Sequence, residues 1–317
     1  MSDYKVAVLL GCFNGERYIE QQLLSLKNQT FKNFKVYVRD DGSTDATLEI
    51  IKRFSGLDIT ILSDSYGNLG PARSFLTLLK NVDADFYFFS DQDDFWLPQK
   101  IEKSLDAIKS VEQSIPTLIH SDLSLVNETL KSLGTTFHQL NGKNPHFFIT
   151  SPAMYLENCV VGCTMLINQV AKEVSLKGID TIHDDIAMHD WWIALCVRKY
   201  NNVIFLNEPL LLYRQHQNNV SGASVNQANI LAKLFRKRTY VRIEKARKNV
   251  VSNTRLLLEH QNKNLTEIDQ SLIRRIQECY SEYRLFQLFK LYMCKVLFSK
   301  FKLNVAMAFY FILNSKK

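Results

Sequence analysis

Several features are missing from this chain of 317 residues, and each absence narrows its class. None of the six cysteines, Cys12, Cys159, Cys163, Cys196, Cys279 and Cys294, stands in CxxC spacing. They are scattered through apolar stretches, as reduced, buried thiols are, which argues against a disulfide framework and against structural zinc. A long apolar h-region with a cleavage site is also lacking: the short run Val6 to Leu10 leads straight into a polar loop, so the expected location is the cytoplasm. No charge-free stretch approaches the ~20 residues needed to span a bilayer. The most apolar segment, Leu291 to Leu313, is interrupted by Lys295, Lys300 and Lys302 and reads as an amphipathic helix lying on a membrane or packing in an oligomer. With 46% hydrophobic and 22% charged residues and no repeat or low-complexity tract, the chain is expected to bury a substantial core.

The net charge of +7 is unevenly spread. Residues 231 to 317 hold 19 Lys or Arg against 6 Asp or Glu, about +13, leaving about −6 on the rest. An acidic body with a basic tail suggests a catalytic domain carrying an attachment device for an anionic membrane surface or a second copy, although a plain soluble helical tail gives the same pattern. Nucleic acid is the competing partner, and it is disfavoured because the tail's aromatics fall within apolar helical stretches.

The first half alternates β-branched or aromatic runs with helical patterns, the signature of an α/β domain with parallel strands and crossover helices. Strands are expected at Val6 to Leu10, Phe34 to Arg39, Asp58 to Leu62, Asp85 to Phe89, Thr117 to His120 and Cys159 to Ile167. Ile19, Leu23 and Leu26 form one apolar stripe on a helix that Asn14 is placed to cap, and a second helix is expected from about Asp45 to Phe54. Further helices are expected near Gln169 to Leu176 and Asp190 to Tyr200, then the strand-like VIFLNEPLLLYRQH, and mostly helix beyond Gly222. In open sheets of this kind ligands bind beyond the carboxyl ends of the strands, where three polar motifs fall.

RDDGSTDAT, at Arg39 to Thr47, places Asp40 and Asp41 at a strand exit, where a carboxylate accepts a base N–H or a ribose hydroxyl. Turn shaping is the bland alternative, and helix capping is the favoured role for Asp45. FFSDQDDFWLP ends an apolar strand in Asp91, Asp93 and Asp94. Alternation sends Asp91 and Asp93 to one side, where both carboxylates converge on a hard divalent cation, Mg²⁺ or Mn²⁺. The competing account is a solvated acidic turn before a helix opened by Pro98. IHDDIAMHDWWIAL sets Asp190 at a helix start, whose dipole favours the anion; a capping Asp uses the same position.

The succession GCFNGERYIEQQLLSLKNQT, VRDDGSTD and SDQDDFWLPQK resembles family-2 glycosyltransferases of the GT-A fold, over about the first 220 residues. The resemblance implies a Rossmann-like mixed sheet with flanking helices at residues 1–222, followed by a basic helical region at 223–317. It implies an inverting transfer in which Asp41 contacts a pyrimidine base, Asp91 and Asp93 serve the metal, and Asp190 is the base that deprotonates the acceptor hydroxyl. His189 stands where that family usually has Glu, and Gly11 where many relatives have Thr or Ser. The same likeness marks Arg73, in NLGPARSF, for a donor phosphate, Gly162 for clearance of the sugars, and His216 in YRQHQNNVSG for the metal. Arg73 as an ordinary surface residue and Gly162 as a plain strand glycine are the alternatives. Asp184 and Asp185 are candidates for acceptor contacts, and Trp191 and Trp192 for stacking on a sugar or filling the core. A Q-x-x-R-W element is lacking, which implies addition of one or a few residues. The combination with MHDWW looks most like bacterial polysaccharide rhamnosyltransferases, implying dTDP-L-rhamnose as donor and a lipid-linked saccharide acceptor at the inner membrane face.

Overall fold

The computed structural model describes residues 4–178, 185–216 and 237–314, which divide into two compact units. The first is built on a nine-stranded mixed sheet in the order β3-β2-β1-β4-β8-β6-β9-β5, with β7 paired to β6. Its strands are β1 (Val6–Cys12), β2 (Lys35–Asp40), β3 (Ile59–Ile61), β4 (Phe86–Asp91), β5 (Phe95–Trp96), β6 (Leu118–Val126), β7 (Ser132–Thr136), β8 (Met165–Asn168) and β9 (Val203–Arg214). Strands β3, β2, β1 and β4 run parallel, and β8 enters antiparallel to both β4 and β6. Helices α1 (Ile19–Lys27), α2 (Thr47–Arg53) and α3 (Pro71–Asn81) make the crossovers among the parallel strands. Because helices cover both faces, β1 and β4 are continuous buried apolar runs rather than alternating ones. Helices α4 (Lys100–Lys109), α5 (Phe137–Asn141), α7 (Gln169–Leu176) and α8 (His189–Arg198) complete this unit, and α6 (Pro145–Thr150) belongs to the other.

Local details depart from the sequence reading. Asn14 does not cap α1: it sits at φ 48°, and its Oδ1 accepts from the Thr44 backbone N–H 30 residues away. Gly15 O closes the entry to α1 instead, accepting from Tyr18 N and Ile19 N. Pro98 lies in the turn before α4 and not inside it. The expected strand from Cys159 shrinks to β8, preceded by a 3-10 turn at Gly162–Thr164. The first turn of α3 follows Gly70, whose φ of 74° is open to glycine, with Pro71 at a position whose missing N–H costs nothing.

Of the described residues, the second unit gathers 142–159, 185–187 and 237–314. The first two segments, which the sequence reading counted with the N-terminal domain, pack with the C-terminal helices. Helices α9 (Lys237–His260), α10 (Glu267–Ser281), α11 (Leu285–Met293) and α12 (Phe301–Asn314) surround a core containing Ile273, Ile276, Tyr280, Met307 and Phe311. Thr266 caps α10 by accepting from the Asp269 N–H. The apolar segment expected as one amphipathic helix is two, α11 and α12, broken at Cys294 to Lys300. Among the described residues no helix is long and apolar enough to cross a membrane.

Candidate active site

The carboxyl ends of β1, β2 and β4 open into a cavity of about 780 Å³ within the first unit. Its walls include Gly11, Asp41, Asp91, Asp93, Gly162, Asp190 and His216, contributed by distant parts of the chain. Parallel pairing places these residues together: β1 is in register with both β2 and β4, so Gly11 stands beside Arg39 and Asp91.

One side of the cavity is organised by Arg39, a buried guanidinium at the end of β2. It bonds Asp41 and Ser74 through one nitrogen, Asp64 through Nε and the other nitrogen, and the Gly67 carbonyl. Asp41 Oδ1 also accepts from Leu69 N and Oδ2 from Gly70 N, each at 2.7 Å. Three protein donors thus hold this carboxylate, leaving Oδ2 one acceptor direction. Asp40 takes the bland role: its carboxylate accepts from Gly42 N, Ser43 N and the Ser43 hydroxyl, shaping the turn, and it is not among the cavity-lining residues. Asp45 likewise accepts from Thr47 N and Glu16 N at the start of α2.

The opposite side is differently balanced. Asp91 is pushed up to about 7, first by burial and then by the charges of Asp93 and Asp190. His216 Nε2 lies 2.7 Å from Asp93 Oδ2, and Tyr18 packs against the imidazole at 5.2 Å between ring centroids. Buried Arg214 holds this corner through Nε to the Asp93 carbonyl at 2.9 Å, while its guanidinium lies 4.5 Å from the Tyr18 ring centroid. Gln92, between the two acids, donates to Phe13 O and accepts from Phe13 N, clamping the loop after β1. That clamp requires Gly15, because a Cβ there would stand 2.2 Å from Gln92 Oε1.

Asp91, Asp93 and His216 all line the cavity, and their donors, two carboxylates and an imidazole, are of the kind that suits a divalent ion. Asp91, Asp94 and Cys163 also bring one ligand atom each within 4.8 Å of one another. Asp94 and Cys163, however, are buried and are not among the cavity-lining residues, and buried Lys100 interacts electrostatically with both. Burial lowers Lys100 to about 7, and its Nζ lies 3.8 Å from the Trp96 ring centroid.

Asp190 lies in the first turn of α8, after Met188 at the N-cap, and accepts from Gly162 N at 3.1 Å. Gly162 lines the cavity, and a Cβ there would lie 2.7 Å from His189 Nε2. The glycine makes room for the imidazole, which packs on Phe75 at 4.4 Å and is held neutral by burial, its pKa lowered to about 3.

The profile of glycosyl transferase family 2 matches residues 7–171, more than half of the chain. This protein belongs to that family. It is a glycosyltransferase. It is 30% identical over 229 residues to the dTDP-rhamnosyl transferase RfbG of Shigella flexneri, covering 68% of this chain and 75% of that one. It is 25% identical over 230 residues to the UDP-Glc:alpha-D-GlcNAc-diphosphoundecaprenol beta-1,3-glucosyltransferase WfgD of Escherichia coli, covering 70% and 81%. The S. aureus TarS 1-349 structure in complex with UDP-GlcNAc superposes with a TM-score of 0.58 at 20% identity, covering 98% of this chain and 81% of that one. The mannosyltransferase PcManGT of Pyrobaculum calidifontis, in complex with GDP-Man and Mn²⁺, gives 0.55 at 13% identity, covering 98% and 86%. Both structural likenesses establish the GT-A fold of this glycosyltransferase.

Other expected site residues fall elsewhere. Arg73 donates through Nε to Leu69 O within the first turn of α3 and is not among the cavity-lining residues. Trp192 is buried with its Nε1 donating to Ser175 O at 2.8 Å, and Trp191 is buried too, so both tryptophans of this glycosyltransferase fill core and present no stacking face. Asp185 lies in the second unit and pairs with Arg255 at 3.0 Å; Asp184 lies outside the described residues. Sequence reasoning missed the roles of Arg39 and Gln92. The signal for Arg39 was a charged residue inside an otherwise apolar strand, directly before two acids.

Proposed function

We propose that this glycosyltransferase moves a sugar, with inversion, from a pyrimidine nucleoside diphosphate to a lipid-linked saccharide acceptor, and that the sugar is L-rhamnose carried by dTDP. The observation that supports this reading is the single cavity lined jointly by Asp41, Asp91, Asp93, Asp190 and His216. Asp41, fixed by Arg39 and two backbone donors, has the acceptor direction left on Oδ2 for the base N–H. Asp91, Asp93 and His216 would hold Mg²⁺ or Mn²⁺, which supplies charge neutralisation at the diphosphate leaving group. Asp190, oriented by the Gly162 N–H, takes the proton of the acceptor hydroxyl as that oxygen attacks the anomeric carbon. The rhamnosyl donor is supported by the likeness to RfbG, and a UDP-hexose donor by the likeness to WfgD. Residues 1–222 are proposed as the transferase domain and 223–317 as a region that brings it to the cytoplasmic face of the membrane, where a lipid-linked acceptor resides.

The test is a thermal-shift panel of dTDP, UDP and GDP with and without Mn²⁺. A pyrimidine diphosphate is expected to stabilise the protein only with metal, and Asp93→Ala to remove that stabilisation. Equal, metal-free stabilisation by all three nucleotides defeats the reading.

A further inference from the structure

The second unit exposes large apolar side chains in one place. Helices α11 and α12 form a hairpin whose turn runs from Cys294 to Lys300. On either side of that turn stand Met293, 86% exposed, and Phe301, 79% exposed, with Phe286 at 71% two helical turns back from Met293. The positions 286, 289 and 293 share one face of α11, while Leu288 and Leu291 on the other face are buried. The outward face therefore carries three large apolar side chains beside the exposed Lys290, unlike a helix face meant only for water.

The turn is held in shape. Asn304 accepts from Phe298 N at 2.9 Å and donates to Phe298 O at 2.8 Å, Tyr292 donates to Asn304 O, and Glu157 accepts from both the N–H and hydroxyl of Ser299. Val296 and Phe298 are buried beneath it. Met293 and Phe301 are thus presented by a braced loop. Between Leu285 and Asn314 the chain carries Lys290, Lys295, Lys300 and Lys302, all exposed, and no acidic residue.

We propose that the α11–α12 hairpin is a docking surface for an anionic lipid bilayer. Met293, Phe301 and Phe286 enter the boundary between headgroups and acyl chains while the lysines pair with lipid phosphates, the division of labour of interfacial helices. Charge selects this occupant over a second copy: two identical hairpins, each wholly cationic, repel, whereas an anionic surface attracts both the lysines and the apolar tips. The proposal rests on the reading that the C-terminal region brings the enzyme to a membrane, names the surface that does so, and is independent of which nucleotide sugar is used.

Co-flotation of the full-length protein with vesicles of phosphatidylcholine, with and without phosphatidylglycerol, tests it. Binding is expected to require the anionic lipid and to weaken with added salt. Met293→Glu with Phe301→Glu is expected to abolish flotation, and Lys295→Gln with Lys300→Gln and Lys302→Gln to lower partitioning about a hundredfold, at about fivefold per lysine. Both variants should keep the wild-type thermal shift with nucleotide and Mn²⁺, which separates loss of the surface from misfolding and from failure of the donor assignment. Unchanged flotation of either variant overturns the proposal. So does a light-scattering result in which the wild type is a dimer that fails to float and Met293→Glu with Phe301→Glu is a monomer, because the hairpin then meets its own copy.

Discussion

Two groups of carboxylates face the same cavity in opposite electrostatic states. Asp41 is completed by the protein itself, through Arg39 and two backbone N–H groups, and Arg39 also engages Asp64. Asp91, Asp93 and Asp190 face one another across the cavity instead, and burial, followed by the charges of Asp93 and Asp190, raises Asp91. A carboxylate already neutralised by its neighbours is suited to accepting one directed hydrogen bond. A cluster left with excess negative charge is suited to a cation or a proton. On the proposed function, the difference would let one pocket read a base at one end and handle phosphate and hydroxyl chemistry at the other.

Breaking the completed side should have the largest effect on the fold. Arg39→Met leaves Asp41 and Asp64 without their counter-charge in a buried setting, and a loss of about 3–5 kcal/mol is expected from urea unfolding. A loss under about 1 kcal/mol would mean that water, not Arg39, satisfies Asp41. On the other side the fold should survive and chemistry should fail. Asp190→Asn keeps an oxygen for the Gly162 N–H but removes the base, so transfer should fall by about a hundredfold or more while the nucleotide-dependent thermal shift stays as in wild type. Normal turnover would move the base elsewhere.

The smallest effect is a pH dependence that sharpens the contrast. Asp91 has a folded pKa raised to about 7 from 3.8, so the metal-free protein binds more protons than its unfolded chain across that interval. Its contribution to stability is present below the unfolded value and declines as pH rises towards 7. Bound divalent ion requires the ionised carboxylate, so the gain in Tm from Mn²⁺ should be larger at about pH 8 than at about pH 6. A gain independent of pH would remove Asp91 from the ligand set.

Much of the first unit was legible because its elements are written locally. The apolar runs of β1 and β4, the stripe on α1 and the span Gln169–Leu176 depend on near neighbours in sequence. What failed was decided by distant contacts. Asn14 resembled a helix cap, yet the loop at Ser43 and Thr44 takes both its backbone and side-chain bonds. For Trp191 and Trp192 the sequence leaves stacking on a sugar and filling the core both open, and the tertiary packing places them in the core. The apolar tail read as one helix until the Asn304 bracket showed where it folds back on itself.

By itself, the sequence determined the family, the strand-end placement of the acids and the basic character of the C-terminal region, because composition, periodicity and motif order are properties of neighbouring residues. Only the tertiary structure decided which acid is paired and which remains charged in the cavity, why Gly15 and Gly162 carry no side chain, and which apolar residues stay exposed. Those outcomes depend on the distance to Arg39, Gln92, His189 and Lys100, and such distances exist only after the sheet brings remote segments side by side.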